Sequence, residues 1–137
     1  MPKQAAHQQY KQIQVKTANK GKLVVMLYQG CIKFLKLAKE SIENEKLEEA
    51  NNYIIRSQDI ISELMNTLDM ERGGEIASNL YQLYDFMNRK LIDANVKKDK
   101  KKLEIVENML LELLDSWKQI TERKKNQNKQ NSIDLKK

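Results

Sequence analysis

One stretch of sequence decides the fold, namely residues 23–42, which read LVVMLYQGCIKFLKLAKESI. Apolar residues recur there at helical spacing, and the main stripe consists of Leu23, Leu27, Phe34, Ala38 and Ile42. Side chains spaced in this way lie on one face of an α-helix. We therefore predict an amphipathic helix from about Lys20 to Glu43.

Three further stretches repeat this pattern along the chain. The apolar stripe of the second stretch consists of Leu47, Ala50, Ile54, Ile61, Leu64 and Leu68. The stripe of the third consists of Ile76, Leu80, Leu83, Met87, Leu91 and Ala94. The stripe of the fourth consists of Leu103, Val106, Leu110, Leu113, Trp117 and Ile120. Each stretch predicts one more amphipathic helix.

Polar residues and glycines separate the four predicted helices. We expect Asn19, Asn44 and Asp99 to cap the first, second and fourth helices, because their short polar side chains can bond free backbone N–H groups. Gly73 and Gly74 interrupt the chain between the second and third helices. These signals keep the connections short.

The predicted architecture is all-α, an antiparallel up-down four-helix bundle. Short connections force neighbouring helices to run in opposite directions. A length of 137 residues fits one domain, and only four Gly and one Pro favour helices over a turn-rich fold. We place the bundle at residues 19–123, between a flexible N-terminal arm at 1–18 and a disordered polar C-terminal tail at 124–137.

The net charge of +6 is unevenly distributed. Residues 1–22 and residues 118–137 each carry +5, which leaves −4 for residues 23–117. The body of the protein is therefore mildly acidic, and the basic character lies in the flanks. This distribution argues against a basic binding face on the body and against nucleic acid as a partner.

The sequence also predicts a cytoplasmic protein without stable membrane insertion. No run approaches the roughly eighteen apolar residues that a membrane-spanning helix needs. The polar stretch from Met1 to Gln14 lacks the apolar core of a signal peptide. Cys31 is the single cysteine, which fits a reducing compartment.

Catalytic and metal-binding constellations are missing from the sequence. The one histidine, His7, lies in the arm, and we interpret it as a solvated residue. Cys31 lies on an apolar stripe, where cysteine behaves as a small hydrophobic residue. The five lysines at 97–102 are diluted by Asp93, Asp99 and Glu104, and we interpret them as a solvated loop. We expect no enzymatic activity, no metal and no cofactor.

Apolar residues exceed what one stripe per helix requires. Each of them alone can equally fill a wide core or be an ordinary exposed apolar residue. Together they suggest a groove for a partner's amphipathic helix, because contiguous exposed apolar surface usually marks a binding site. The candidate groove residues are Val25, Ile32, Ile55, Tyr84, Phe86, Ile105, Met109, Leu111 and Leu114.

The N-terminal arm carries a short apolar series, Tyr10, Ile13 and Val15. A flexible segment of this kind could cover an empty groove as a removable lid, and these three residues are candidate partner contacts. The alternative is an arm that contacts nothing specific.

Several short motifs follow one another in an order typical of a known family. They are Tyr10, Thr17-Ala18, Leu27-Tyr28-Gln29-Gly30, Gln58-Asp59-Ile60-Ile61, Leu83-Tyr84-Asp85-Phe86-Met87, the segment Arg89–Asn95, and Trp117-Lys118. In this order they resemble the FliS family of flagellin-specific export chaperones, from about Tyr10 to Trp117. Lys20 and Gly21 depart from the proline and glutamate that the family often has, which weakens the start signal of the first helix.

The resemblance implies a cytosolic chaperone for flagellin. Such a bundle binds the C-terminal segment of flagellin, prevents premature polymerisation and delivers the cargo to the export gate of the flagellar type III secretion apparatus. The resemblance also implies that Tyr10 contacts the export gate once cargo displaces the arm. We expect the free protein to be a monomer or a weak dimer.

Two other functions remain open at this point. A helical adaptor or regulator that binds another protein's amphipathic helix would show the same surplus of apolar positions. A nucleic-acid-binding bundle driven by the basic flanks would lose affinity steeply as salt rises, whereas an apolar groove would resist salt. The identity of the partner separates these functions.

Overall fold

The structure is a computed structural model that describes residues 20–135, except for the side chains of residues 121, 124–125 and 127–135. The predicted N-terminal arm lies outside the described residues. So do its three candidate contacts and the predicted cap of the first helix, which are Tyr10, Ile13, Val15 and Asn19.

Four helices make up the described part of the chain. They are α1 (Lys20–Glu43), α2 (Leu47–Asn66), α3 (Gly74–Lys97) and α4 (Lys100–Leu135). Helix α1 packs against α2 and α4, and α3 packs against the same two helices on the opposite side of the bundle. Short connections between consecutive helices make the neighbours antiparallel. The prediction of an all-α, up-down four-helix bundle is confirmed.

The core lies where the four apolar stripes meet. The fully buried side chains of the largest volume include Leu35, Ile54, Ile61, Leu64, Met87, Leu91, Leu103 and Leu110. Burying one such side chain stabilises the fold by about 1.5–3 kcal/mol relative to leaving it exposed. The helical spacing in the sequence therefore identifies most of the core. Four residues of the predicted stripes are instead more than a third exposed: Leu47, Ile76, Leu83 and Ile120.

Two helices end in the same left-handed turn. At the end of α1, the Lys46 N–H donates to the Ser41 carbonyl over 2.8 Å and the Glu45 N–H donates to Ile42 over 3.0 Å. Glu45 has a φ of 59°, and Lys98 has a φ of 51° at the matching position after α3. This turn satisfies carbonyl groups that would otherwise be unpaired at a helix end.

The predicted caps had different outcomes. Asp99 caps α4, because its Oδ1 accepts a hydrogen bond from the Lys101 N–H over 3.0 Å. Asn44 does not cap α2, so that prediction is wrong. The left-handed turn at Glu45 adds residues after α1, and Lys46 occupies the cap position without a side-chain hydrogen bond.

The connection between α2 and α3 requires its two glycines. Gly74 has a φ of +53°, a left-handed conformation that side chains disfavour. A Cβ atom on Gly73 would lie 2.5 Å from the Ala77 Cβ and 2.6 Å from the Asp69 carbonyl oxygen. The chain can therefore reverse direction between α2 and α3 only because residues 73 and 74 lack side chains.

Replacing Glu45 by Gly is expected to stabilise the protein by about 0.5–1 kcal/mol, because glycine removes the steric cost of a left-handed residue. Denaturant unfolding followed by circular dichroism measures the change. The control is Glu48→Gly in the first turn of α2, which should destabilise by about 1 kcal/mol because glycine is a poor helix former. Equal destabilisation by both substitutions would contradict the prediction.

Helix α4 continues to Leu135, whereas the sequence predicts that the bundle ends at residue 123 and a disordered tail begins at residue 124. Residues 124–135 contain three Lys and two Gln, which are good helix formers, and three Asn, which are poorer ones. They contain no apolar stripe, so α4 extends beyond the residues that form the core.

Candidate partner-binding surface

Helix α3 carries the largest share of the exposed apolar side chains. Six large hydrophobic residues on this helix are more than a third exposed: Ile76, Tyr81, Leu83, Phe86, Ile92 and Val96. No other helix of the described bundle has as many. Because contiguous exposed apolar surface usually marks a binding site, α3 is the natural centre of a partner-binding surface.

Six of the nine predicted groove residues are accessible. Ile55, Phe86, Ile105 and Leu111 are exposed by 41–43%. Val25 and Met109 are partly buried and pack against the core. These six residues lie on three different sides of the bundle, so they do not form the single groove that the sequence predicts.

The other three predicted groove residues belong to the core. Ile32, Tyr84 and Leu114 are 6%, 1% and 9% exposed, so their assignment to an open groove is wrong. The reason is visible in the spacing. Each residue lies three or four positions from a core residue of its own helix, for example Tyr84 three positions before Met87. They therefore continue the buried stripe of each helix, which in α1 runs through Tyr28 and Leu35.

Tyr84 forms part of a chain of hydrogen-bonded side chains through the core. The Tyr28 and Tyr84 hydroxyl oxygens are 2.5 Å apart, and the Trp117 Nε1–H donates to the Tyr28 hydroxyl over 3.2 Å. Burial raises the pKa of the Tyr28 and Tyr84 hydroxyls, so both stay neutral at physiological pH. The chain of hydrogen bonds connects α1, α3 and α4 and fixes how α3 and α4 lie relative to each other.

An ion pair defines the register of α3 against α4. The Lys102 ammonium group of α4 donates to the Asp93 carboxylate of α3. Phe86 lies two turns before Asp93, and Met109 lies two turns after Lys102. Because the helices are antiparallel, equal steps away from the ion pair bring Phe86 and Met109 to the same level.

The same register assembles an apolar groove between the two helices. Ile105 is one turn after Lys102, level with Lys90, and Leu83 is one turn before Phe86. We call this surface the α3–α4 groove. Its residues are Leu83, Phe86 and Lys90 of α3 and Ile105 and Met109 of α4.

Charged groups form the rim of the α3–α4 groove. The Lys90 ammonium group lies over the Phe86 ring, 5.8 Å from its centroid. The Arg89 guanidinium group pairs with Asp85 over 2.8 Å on the exposed outer face of α3. The hydrogen bond from Lys102 lowers the pKa of Asp93, and the same bond raises the pKa of Lys102. An apolar floor with a charged rim is the arrangement that binds an amphipathic helix.

A second surface lies between α2 and α3. An open depression of about 250 Å³ is lined by Asn51, Gln58, Ile92, Asn95, Val96 and Lys98. Ile55 follows Asn51 by one turn and belongs to the same side of α2. The Asn95 amide donates to the Asn51 carbonyl oxygen over 2.7 Å, so the floor of this depression is polar.

The last two accessible residues of the predicted groove, Val25 and Leu111, lie on the side of the bundle where α1 and α4 meet. Leu111 lies one turn after Glu107, whose carboxylate pairs with the Lys39 ammonium group of α1 over 2.9 Å. Val25 lies near the start of α1, one turn before Tyr28. The structure therefore brings Phe86, Ile105 and Met109 together and leaves Ile55, Val25 and Leu111 elsewhere.

Five of the six exposed apolar residues of α3 were not predicted to be exposed. Ile76 and Leu83 were assigned to the core stripe, and Tyr81, Ile92 and Val96 were not singled out. Ile92 and Val96 are four residues apart, so they form a short second stripe. That spacing was the available signal for an apolar surface on the α2 side of α3.

Other chemistry has little support within residues 20–135. The Cys31 thiol is buried, donates weakly to the Ser57 carbonyl oxygen over 3.6 Å, and has its pKa raised to about 12 by burial. Side chains that could jointly hold a metal ion are not found among the described residues. None of the described helices combines the length and apolar character needed to cross a membrane.

Comparison with known families identifies the bundle. A family model described as flagellar protein FliS matches residues 2–124. The chain belongs to the FliS family. The match spans the four-helix core, including the whole α3–α4 groove.

Named relatives of the FliS family cover most of this chain. The flagellar secretion chaperone FliS of Bacillus subtilis is 43% identical over 110 residues, which are 80% of this chain and 81% of the relative. The flagellar secretion chaperone FliSB of Pseudomonas aeruginosa is 38% identical, over 82% of this chain and 92% of the relative. These relatives are chaperones, so the family is not one of enzymes.

A solved structure supports the fold of this FliS family member. A crystal structure of a flagellar chaperone from bacteria superposes with a TM-score of 0.73 and 23% identity. The superposition covers 89% of this chain and 99% of the other. At this low sequence identity, the similarity shows only that the two chains share a fold.

Proposed function

We propose that this FliS family member is a cytoplasmic export chaperone that binds the C-terminal segment of flagellin in the α3–α4 groove. The observation that carries the proposal is the groove itself, with exposed Phe86 and Ile105 beside Met109 and a charged rim. The relatives named as flagellar secretion chaperones support it. The protein sequesters the segment, prevents its premature polymerisation and delivers it to the flagellar type III secretion apparatus.

The mechanism follows from the shape of the groove. An amphipathic segment of flagellin lays apolar side chains at helical spacing between α3 and α4, which removes apolar surface from water on both partners. Folding of the segment on the chaperone costs several kcal/mol of ordering free energy, so binding is specific and the cargo can still be released. This cycle needs neither catalysis nor a cofactor, and we propose that the protein has no enzymatic activity.

The N-terminal arm has two roles in this proposal. Tyr10, Ile13 and Val15 cover the groove when it is empty, and cargo displaces them. Tyr10 then contacts the export gate protein. The free protein is a monomer while the arm covers the groove, and a weak dimer where two uncovered grooves meet.

Calorimetric titration of the full chain with the C-terminal segment of flagellin tests the proposal. We expect one-to-one binding with a negative heat-capacity change, because apolar burial produces that signature. The affinity should change less than tenfold, or about 1.4 kcal/mol, between low and high salt. Salt screens charges but does not screen apolar contacts.

Two results would contradict the proposal. Absence of binding by a folded, helical protein would exclude flagellin and leave a helical adaptor for another partner. Binding that is lost at high salt would indicate an electrostatic surface instead of the apolar groove.

A further inference from the structure

One lysine of the α3–α4 groove lacks an acidic partner. Lys90 is partly buried, and its ammonium group lies 5.8 Å from the centroid of the Phe86 ring. Among the side chains that the structure describes, no carboxylate forms an ion pair with Lys90, whereas the adjacent Arg89 pairs with Asp85. A segment that fills the groove covers this positive charge, and covering it without a negative partner costs free energy.

The apolar floor of the groove ends next to this lysine. Lys90 is level with Ile105, and one turn further along, Asp93 and Lys102 bridge α3 and α4. Lys97 also pairs with Asp93, over 3.6 Å. We call Lys90, Asp93, Lys97 and Lys102 the lysine end of the groove. Its three lysines and one aspartate give it a net charge of +2.

The opposite end of the groove has no such excess of positive charge. Leu83 is level there with Glu112, which is exposed on α4. Residues 74–88 of α3 contain no Lys or Arg. The dipoles of α3 and α4 are antiparallel and largely cancel, so the side chains set the polarity of the groove along its length.

We propose that the lysine end receives the C-terminal end of the bound helix, with the terminal carboxylate of the partner chain paired to Lys90. The last turn of a helix carries partial negative charge on its free carbonyl groups, and a terminal carboxylate adds a full negative charge. This inference rests on the proposed function, because a C-terminal segment of flagellin ends in such a carboxylate. It adds the direction in which the segment lies and the residue that selects its end.

The length of the apolar floor also favours a segment that stops at the lysine end. From Leu83 to Lys90 the floor extends about 10 Å at 1.5 Å per residue, which is about two helical turns. A segment that continued further would cover the charged side chains of Asp93 and Lys102, and burying an ion pair is costly. The groove therefore distinguishes the end of a chain from an internal helix.

Calorimetric titration of the full chain with two forms of the flagellin C-terminal segment tests the proposal. One form ends in a free carboxylate, and the other ends in a carboxamide, which removes the terminal charge. We expect the amide to bind at least tenfold more weakly, because charge-assisted hydrogen bonds are the stronger ones. Equal affinities would overturn the proposal and leave the flagellin assignment intact. If neither form binds, the proposed function itself is wrong and this inference fails with it.

A substitution in the groove identifies the group that binds the carboxylate. Lys90→Gln should weaken binding of the free acid at least tenfold, and it should change the affinity for the amide less than threefold. Arg89→Gln is the matched control, because it makes the same charge change at the adjacent residue, on the exposed outer face of α3. It should weaken binding of either form less than threefold. Circular dichroism checks that both variants keep the helical fold.

Two outcomes with these variants would overturn the proposal. If Lys90→Gln weakens binding of the acid and of the amide equally, the lysine pairs with a carboxylate inside the segment or contributes only its packing on Phe86. If Lys90→Gln and Arg89→Gln cause the same loss, the net charge of α3 is responsible and the lysine end selects nothing.

Discussion

Replacing Phe86 by Asp is expected to weaken binding of the flagellin C-terminal segment about a hundredfold. Phe86 is 41% exposed at the centre of the α3–α4 groove, level with Met109. A central aromatic side chain typically contributes about 2 kcal/mol or more to an interface. The aspartate also places an unpaired carboxylate under a bound apolar face, which adds a desolvation cost. Calorimetric titration of the variant measures the loss.

Tyr81→Asp is the matched control for this substitution. Tyr81 is an aromatic residue of the same helix and is 45% exposed. It lies two turns before Asn88, whose amide donates to the Ser62 hydroxyl of α2 over 3.4 Å. Tyr81 therefore faces α2, away from the groove, and its replacement should change the affinity less than threefold, since peripheral contacts are nearly neutral.

The pair of variants distinguishes the possible binding surfaces. Equal weakening by both substitutions would show that the partner also covers the α2–α3 side. Weakening by Tyr81→Asp alone would move the site to the depression around Ile92 and Val96. If neither substitution weakens binding, the groove proposal is wrong.

Helix spacing was sufficient to predict the bundle, because burial of one stripe per helix dominates its stability. In the first helix, the fully buried stripe through Tyr28 and Leu35 runs beside the predicted one, of which Ala38 is fully buried and Leu27 and Ile42 are partly buried against the core. Asp99 was recognised as a cap because a single side-chain bond decides that role. These features depend on residues close to one another in the sequence.

The groove could be predicted only in part because it depends on contacts between distant residues. Nothing near Phe86 in the sequence shows that it lies level with Met109, because that register is seen only from a contact between distant residues, the Asp93–Lys102 ion pair. Tyr84 was misassigned because a phenol is compatible with an interface as well as with a core. Its buried hydroxyl hydrogen-bonds to the Tyr28 hydroxyl of another helix, which in turn accepts a hydrogen bond from Trp117.

A similar limit applies to the helix ends. Asn44 has the side chain of a cap, but the left-handed residue is Glu45, which has no special preference for that conformation. Backbone hydrogen bonds from Glu45 and Lys46 decide the turn. Local residue preference was therefore overruled by the geometry that joins α1 to α2.

Replacing Tyr84 by Ala is expected to destabilise the protein by about 3–5 kcal/mol, the usual cost of truncating a buried aromatic side chain. Tyr84 is 1% exposed and its ring centroid lies 6.4 Å from that of Tyr28. The substitution leaves a cavity at the centre of the bundle and removes the hydrogen bond to the Tyr28 hydroxyl. Urea unfolding at neutral pH, followed by circular dichroism, measures the change.

Tyr84→Phe separates the hydrogen bond from the packing. It keeps the ring and should cost only about 1–2 kcal/mol, because a single buried hydrogen bond is lost. Tyr81→Ala, at an exposed position of the same helix, should change the stability by about 0.5 kcal/mol or less. If Tyr84→Ala costs no more than Tyr81→Ala, the Tyr84 side chain does not hold α3 against α1, and the α3–α4 groove cannot depend on it for its shape. A large loss with Tyr84→Ala and a small one with Tyr84→Phe would show that ring packing, more than the polar chain, fixes α3.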